Sequence, residues 1–220
     1  MEAHSTLVFI HVLLFVFWLG TDVGVFFAAK ISERSDLSVE TRSTVLQLGM
    51  VLDRLPRSAL VLIVPSGLQL AVNIGQLQVS GGVLSIVWAI SIVWLAILWA
   101  GFLKPHTPTE QRAMLFNFGM NALMALVVLV YAVYLFMNDA AVLWLNLKIL
   151  IVGLVFVAGV ALDALFKPAV AAFLEIINEG ATPERDDRYA KAIGPVYTAV
   201  LTIYALVLVA AYLGISKLFV

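Results

Sequence analysis

Between Ala141 and Phe166 the chain reads AVLWLNLKILIVGLVFVAGVALDALF, an apolar run interrupted by only two ionisable side chains, Lys148 and Asp163. A bilayer core about 30 Å thick is crossed by about 20 helical residues that rise 1.5 Å each. The run predicts a transmembrane helix, because a helix satisfies its backbone hydrogen bonds within one segment exposed to lipid. It is too long for a strand of a membrane β-barrel.

The rest of the chain repeats this pattern, which predicts an all-α bundle of six transmembrane helices in a single integral membrane domain, residues 1–220. The purely apolar part of the second span, Ser58 to Ile74, is short, so we expect its helix to begin earlier. We expect the segment from Pro168 to continue as a helix at the inner interface until Gly180 and Pro183 end it. The predicted spans cover residues 7–29, 45–74, 83–102, 114–137, 141–166 and 193–215.

The composition excludes several classes of protein. Of the 220 residues, 63% are hydrophobic and 12% are charged, whereas soluble domains average about 45–50% and about 25%. A soluble enzyme is excluded, and the lipid bilayer is the expected partner. The formal net charge of -1 offers no basic field for nucleic acid. The chain has no cysteine, which removes disulfides and thiolate chemistry.

The distribution of cations predicts the orientation, because cytoplasmic loops retain Lys and Arg. The loops over residues 75–82 and 138–140 carry no cation. Both termini are therefore expected on the outer side of the membrane. The expected membrane is the cytoplasmic (inner) membrane of a bacterium. The first residues lack the basic region of a signal peptide, so we expect the first helix to be retained. The cations of the inner loops are Lys30, Arg34, Arg42, Lys104, Arg112, Lys167, Arg185, Arg188 and Lys191.

Ionisable side chains within the spans are costly in lipid and are therefore functional candidates. The predicted topology separates them into an outer group and an inner group. Within the inner group, the simplest interpretation pairs Asp22 with Arg54 or Arg57, and Asp163 with Lys167. Asp53 then takes the remaining cation or a backbone donor. The alternative is that the two guanidinium groups bind a carboxylate, such as a propionate. The outer group is His11 and Lys148, and the inner group is Asp22, Asp53, Arg54, Arg57 and Asp163.

His11 is the only imidazole within a span. A buried histidine either satisfies a hydrogen bond between helices or serves as an axial ligand to haem iron or to copper. Trp18, two turns further along the same helix, can line a cofactor cavity or simply pack. Met120 and Met124 offer soft sulfur for Cu(I) or packing. Pro65 predicts a kink or an unwound turn in the second span.

Three segments of the sequence resemble a superfamily of small membrane proteins. HVLLFVFWLG, from His11 to Gly20, resembles the first helix of the HemJ-type protoporphyrinogen oxidases and the CopD-type copper-resistance proteins. WLNLK, from Trp144 to Lys148, looks like the opening of a later HemJ-type helix. DRLPR, residues 53–57, is similar to the arginine-rich start of that family's second helix. Together these segments relate helices one, two, five and six to the family.

The resemblance implies a haem b held between helices, with His11 as its ligand and Lys148 as the essential lysine. Trp18, Asp22, Arg54 and Arg57 are the other candidate residues for binding the cofactor.

Three functions remain open at this point. The first is a haem-b redox protein that exchanges electrons with a small substrate and a quinone or another redox partner. The second is a CopD-like copper permease in which His11 and a methionine bind the ion. The third is a structural or assembly subunit, and any of the three is compatible with a homo-oligomer.

Overall fold

The computed structural model describes residues 2–217, and within that range the regular structure is entirely helical. Six helical segments are long and apolar enough to cross a membrane, which confirms the predicted all-α six-helix bundle. The protein is a multi-pass membrane protein. The helices are α1 Glu2–Ser32, α2 Val39–Leu52, α3 Arg54–Asn73, α4 Gly81–Phe102, α5 Pro108–Met137, α6 Leu143–Glu179 and α7 Pro183–Ser216.

The second crossing consists of two helices, α2 and α3, that meet at Asp53. It starts at Val39, earlier than its apolar part, as expected. The Ser38 hydroxyl caps this start by accepting a hydrogen bond from the Thr41 N–H. Pro56 explains the junction, because proline has no N–H to continue the hydrogen-bond ladder of a helix. Asp53 itself keeps helical dihedral angles, so the chain continues in the same direction.

Two proline-based predictions have different outcomes. The segment from Pro168 continues α6 without interruption as far as Glu179, and Gly180 ends the helix with a φ of 86°, as predicted. By contrast, no unwound turn occurs at Pro65, since α3 is continuous through it, and the alternative of a kink there stays a prediction. The Ser66 hydroxyl donates back to the carbonyls of Leu62 and Ile63, at 2.9 and 3.1 Å, which supports the helix beside the proline.

The six crossings pack in a ring that follows the order of the chain. Each packs against the next, and α1 meets α7 to close the ring. Glycine allows some of these close approaches: a Cβ on Gly153 of α6 would lie 2.6 Å from Leu129 of α5. An even number of crossings brings residues 2 and 217 to the same side, and we call that half of the bundle the outer half.

Candidate functional site

One face of α1 carries three of the residues that the sequence analysis identified as candidates. Trp18 and Asp22 follow His11 by seven and eleven positions, close to two and three full turns. All three therefore project from the same side of the helix. Trp18 is buried, and His11 and Asp22 are half-buried. His11 lies in the outer half and Asp22 in the inner half, about 16 Å apart along the helix axis.

His11 is held by α3. Its Nδ1 lies 2.8 Å from the hydroxyl of Ser66, a fully buried residue. That hydroxyl has a single proton, which it donates to the Leu62 carbonyl at 2.9 Å. With the Ser66 proton on that carbonyl, Nδ1 of His11 is the donor to Ser66, and a neutral ring in this tautomer carries no proton on Nε2. The contact leaves Nε2 with a free lone pair, available to accept a proton or to bind a metal.

The absence of a side chain at Gly67 leaves room for the His11 ring against α3. A Cβ on Gly67 would lie 3.1 Å from Cε1 of His11, which is tight for two carbon atoms. The ring therefore packs directly on the backbone of α3, one residue beyond its hydrogen-bond partner Ser66.

We expect Gly67→Val to displace the His11 ring and to lower the free energy of unfolding by about 1–3 kcal/mol, the usual range for overpacking. Denaturant unfolding in detergent measures the stability, and imidazole-nitrogen NMR follows the Nδ1 hydrogen bond. Gly20→Val is the matched control, since nothing lies within 4 Å of the added Cβ. Equal stabilities and equal His11 signals for the two variants would show that the ring does not rest on Gly67.

Lys148 of α6 belongs to the same outer region. It interacts electrostatically with His11, and its Nζ would lie 2.5 Å from a Cβ placed on Gly214 of α7. No ion pair among residues 2–217 includes Lys148. Asn146, two residues earlier on α6, is buried, and its Oδ1 has no hydrogen-bond partner. The outer region thus combines an imidazole, an ammonium group without a carboxylate and an unpaired amide oxygen.

The inner group is arranged differently from the prediction. Arg57 bridges two carboxylates: Nε lies 2.6 Å from Asp53, and Nη2 lies 3.0 Å from Asp163 of α6. The predicted pairing of Asp22 with either arginine is therefore wrong within the described residues. Arg54 instead lies over the ring of Phe102, 5.6 Å from its centroid.

The predicted pair of Asp163 with Lys167 is also wrong. Asp163 bonds to Arg57, and Lys167 lies over the ring of Phe118 at 5.4 Å. Spacing along one helix suggested the pair, but a guanidinium from α3 approaches the carboxylate more closely. An arginine can bind two carboxylates at once through its several N–H groups. The i,i+4 spacing of Asp163 and Lys167 on one helix gives no information about such a partner from another helix.

A cavity of about 60 Å³, lined by both apolar and polar residues, lies beside this ion triad, and we call it the inner cavity. Trp18 and Asp22 line it from α1, so Trp18 faces this cavity rather than one that includes His11. Asn117 and Asn121 line it from α5; the Asn117 Oδ1 accepts from Trp94 Nε1 at 3.0 Å, whereas the Asn121 Oδ1 has no partner. The remaining lining residues are Asp53, Pro56, Arg57, Leu60, Val155, Gly159, Leu162, Asp163 and Ile203.

Sequence reasoning missed a buried network at the inner end of the bundle. Arg42, predicted as a loop cation, is fully buried in α2. Its Nε donates to the Ser32 carbonyl at 2.7 Å, and its Nη1 lies 2.8 Å from Asp186. The Ser32 hydroxyl in turn bonds to Tyr189 at 2.6 Å. The cap at Ser38 was the available signal, because a helix that begins there includes position 42.

The residues described contain no group of three or more His, Asp or Glu side chains placed to hold a metal ion. Met120 and Met124 pack against a different cluster, around Trp94 and Phe156. Comparison with known proteins finds no matching family model, no matching curated protein and no matching solved structure.

Proposed function

We propose that the protein is a haem-b redox protein of the bacterial cytoplasmic membrane in which Nε2 of His11 is the axial ligand. One observation carries the proposal. The Ser66 hydroxyl lies 2.8 Å from Nδ1 of His11, and in the tautomer with the proton on Nδ1 the lone pair on Nε2 is free. Histidines that bind metals almost always donate their other ring N–H to a neighbouring acceptor in this way.

The donor set favours haem over a bare metal ion. His11 stands alone, since no cluster of ligands among residues 2–217 accompanies it. A single imidazole suits a metal whose macrocycle supplies the other ligands. A copper path would need soft ligands next to His11, but Met120 and Met124 pack elsewhere in the bundle. The residues present therefore fit an axially ligated haem.

The chain's own groups would serve the cofactor in distinct ways. Ser66 orients the imidazole, and Gly67 gives it room. Lys148 supplies a positive charge near His11 that can neutralise a propionate or deliver a proton. Haem b, when bound, supplies one-electron exchange with a quinone or another redox partner. A clamp by Arg57 is not part of the proposal, because its guanidinium is already shared by two carboxylates.

The test is the absorption spectrum of the protein purified from a host that makes haem. We expect a Soret band in the wild type that His11→Ala abolishes, because the only axial imidazole is lost. His4→Ala and His106→Ala are the matched controls and should keep the band, since these histidines lie outside the predicted spans. A colourless wild type in a haem-replete host contradicts the proposal. Binding of Cu(I) that depends on His11 would favour the copper permease instead.

A further inference from the structure

The inner cavity holds more negative charge than its one cation can balance. Asp22, Asp53 and Asp163 all line it, and Arg57 is the only cation that does. Arg57 binds Asp53 and Asp163, whereas no ion pair among the described residues includes Asp22. With every group ionised, three negative charges and one positive charge leave an excess of two negative charges. An uncompensated charge within a membrane costs several kcal/mol.

A second, independent observation shows that the cavity lacks a donor. Asn121 is only 4% exposed, lines the cavity and has no hydrogen-bond partner for its Oδ1. A carbonyl oxygen can only accept. Tyr204 of α7 faces Asp22, and its hydroxyl interacts with that carboxylate rather than with Asn121. The missing occupant must therefore carry a proton or a positive charge.

The dimensions of the cavity limit what this occupant can be. A water molecule needs about 10–15 Å³ of cavity space, so a cavity of about 60 Å³ has room for a few water molecules but is far below the about 300 Å³ of a site for an organic ligand. Divalent cations prefer several converging oxygen ligands. Nowhere in residues 2–217 do three carboxylates converge in that way. Water with a proton, or water with a monovalent cation, fits the size, the charge and the unpaired acceptor, and the proton needs the fewest ligands.

We propose that the inner cavity is a proton-binding site, with Asp22 as the carboxylate that accepts the proton and water bridging it to Asn121. A hydronium ion gives its proton to an Asp22 oxygen, forming the O–H bond, and remains as water. The charged and titratable groups that face Asp22 are Asp53, Arg57 and Tyr204, and Asp163 lines the same cavity. Asp53 and Asp163 are engaged by Arg57, which leaves Asp22 as the acceptor.

This site is independent of a haem at His11. Asp22 lies about 16 Å from His11 along α1, and the lining of the inner cavity does not include His11. A colourless protein would overturn the haem proposal without affecting this one.

Infrared difference spectroscopy of the full chain in lipid nanodiscs tests the proposal. We expect the carbonyl stretch of a protonated carboxylic acid in the wild type at neutral pH, and its loss in Asp22→Asn. Asn121→Leu should shift the frequency of this band without removing it, because the bridging water loses its acceptor. Asp187→Asn is the matched control and should leave the band unchanged, since Asp187 is exposed and paired with Lys191. Size-exclusion elution and circular dichroism check that each variant is folded.

The same spectra recorded in sodium chloride and in choline chloride distinguish a proton from a sodium ion. A band that is equal in the two salts supports the proton site. A band that sodium suppresses shows a sodium site and overturns the proposal. A wild-type band that persists in folded Asp22→Asn also overturns it, because another group then holds the proton.

Discussion

Replacing Arg57 with leucine should lower the free energy of unfolding by about 2–3 kcal/mol, less than the about 3–5 kcal/mol of a fully buried pair. The cost is smaller because Arg57, Asp53 and Asp163 keep 23%, 30% and 19% of their side chains exposed. The variant leaves Asp53 and Asp163 without their shared cation, beside the already unpaired Asp22. The loss should shrink as the pH falls, because protonation removes the unpaired negative charges. Denaturant unfolding in detergent at several pH values measures both effects.

Arg54→Leu is the matched control for this experiment, in the same first turn of α3. Its guanidinium lies over the ring of Phe102, and such a contact contributes about 0.5–1 kcal/mol where it is exposed to solvent. Asp163→Asn in the Arg57→Leu background should recover part of the stability, since it removes one stranded carboxylate. Equal losses for Arg54→Leu and Arg57→Leu would contradict the structural role of the bridge.

Arg42→Met should lower the free energy of unfolding by about 3 kcal/mol. Arg42 is fully buried, and the change removes its bonds to the Ser32 carbonyl and to Asp186. The stranded groups are costly, although Asp186 is 17% exposed and water offsets part of its loss. Thermal unfolding in detergent measures the change.

Arg34→Met is the control for Arg42→Met. Arg34 pairs with Asp36 on the surface, where both side chains are more than half exposed, and exposed pairs contribute about 0–1 kcal/mol. If the two variants unfold at the same temperature, the network around Arg42 does not hold α2 to α1 and α7.

The sequence alone was sufficient to predict the membrane-crossing helices and the position where one of them ends. Runs of about 20 apolar residues can be accommodated in a bilayer only as helices, so six spans followed from composition along the chain alone. Local chemistry also predicted the end of α6 at Gly180, which is present. The orientation of the bundle remains a prediction from its loop cations.

The candidate site could be predicted only in part. The spacing along α1 was enough to set His11, Trp18 and Asp22 on one helix face, and the topology placed Lys148 in the same half as His11. The interaction partners of these residues could not be predicted. The sequence did not indicate that Ser66 would contact the imidazole or that Asp163 would bind Arg57.

What the sequence determined by itself is which segments lie in lipid and which rare polar residues enter it, because the transfer of each residue depends on its own chemistry. Which polar group meets which was decided by the tertiary structure alone. The choice between Asp22 and Asp163 for Arg57, and the burial of Arg42, depend on how helices distant in sequence are rotated and set in depth against each other. That arrangement is fixed by packing across the whole ring of helices, and no local pattern encodes it.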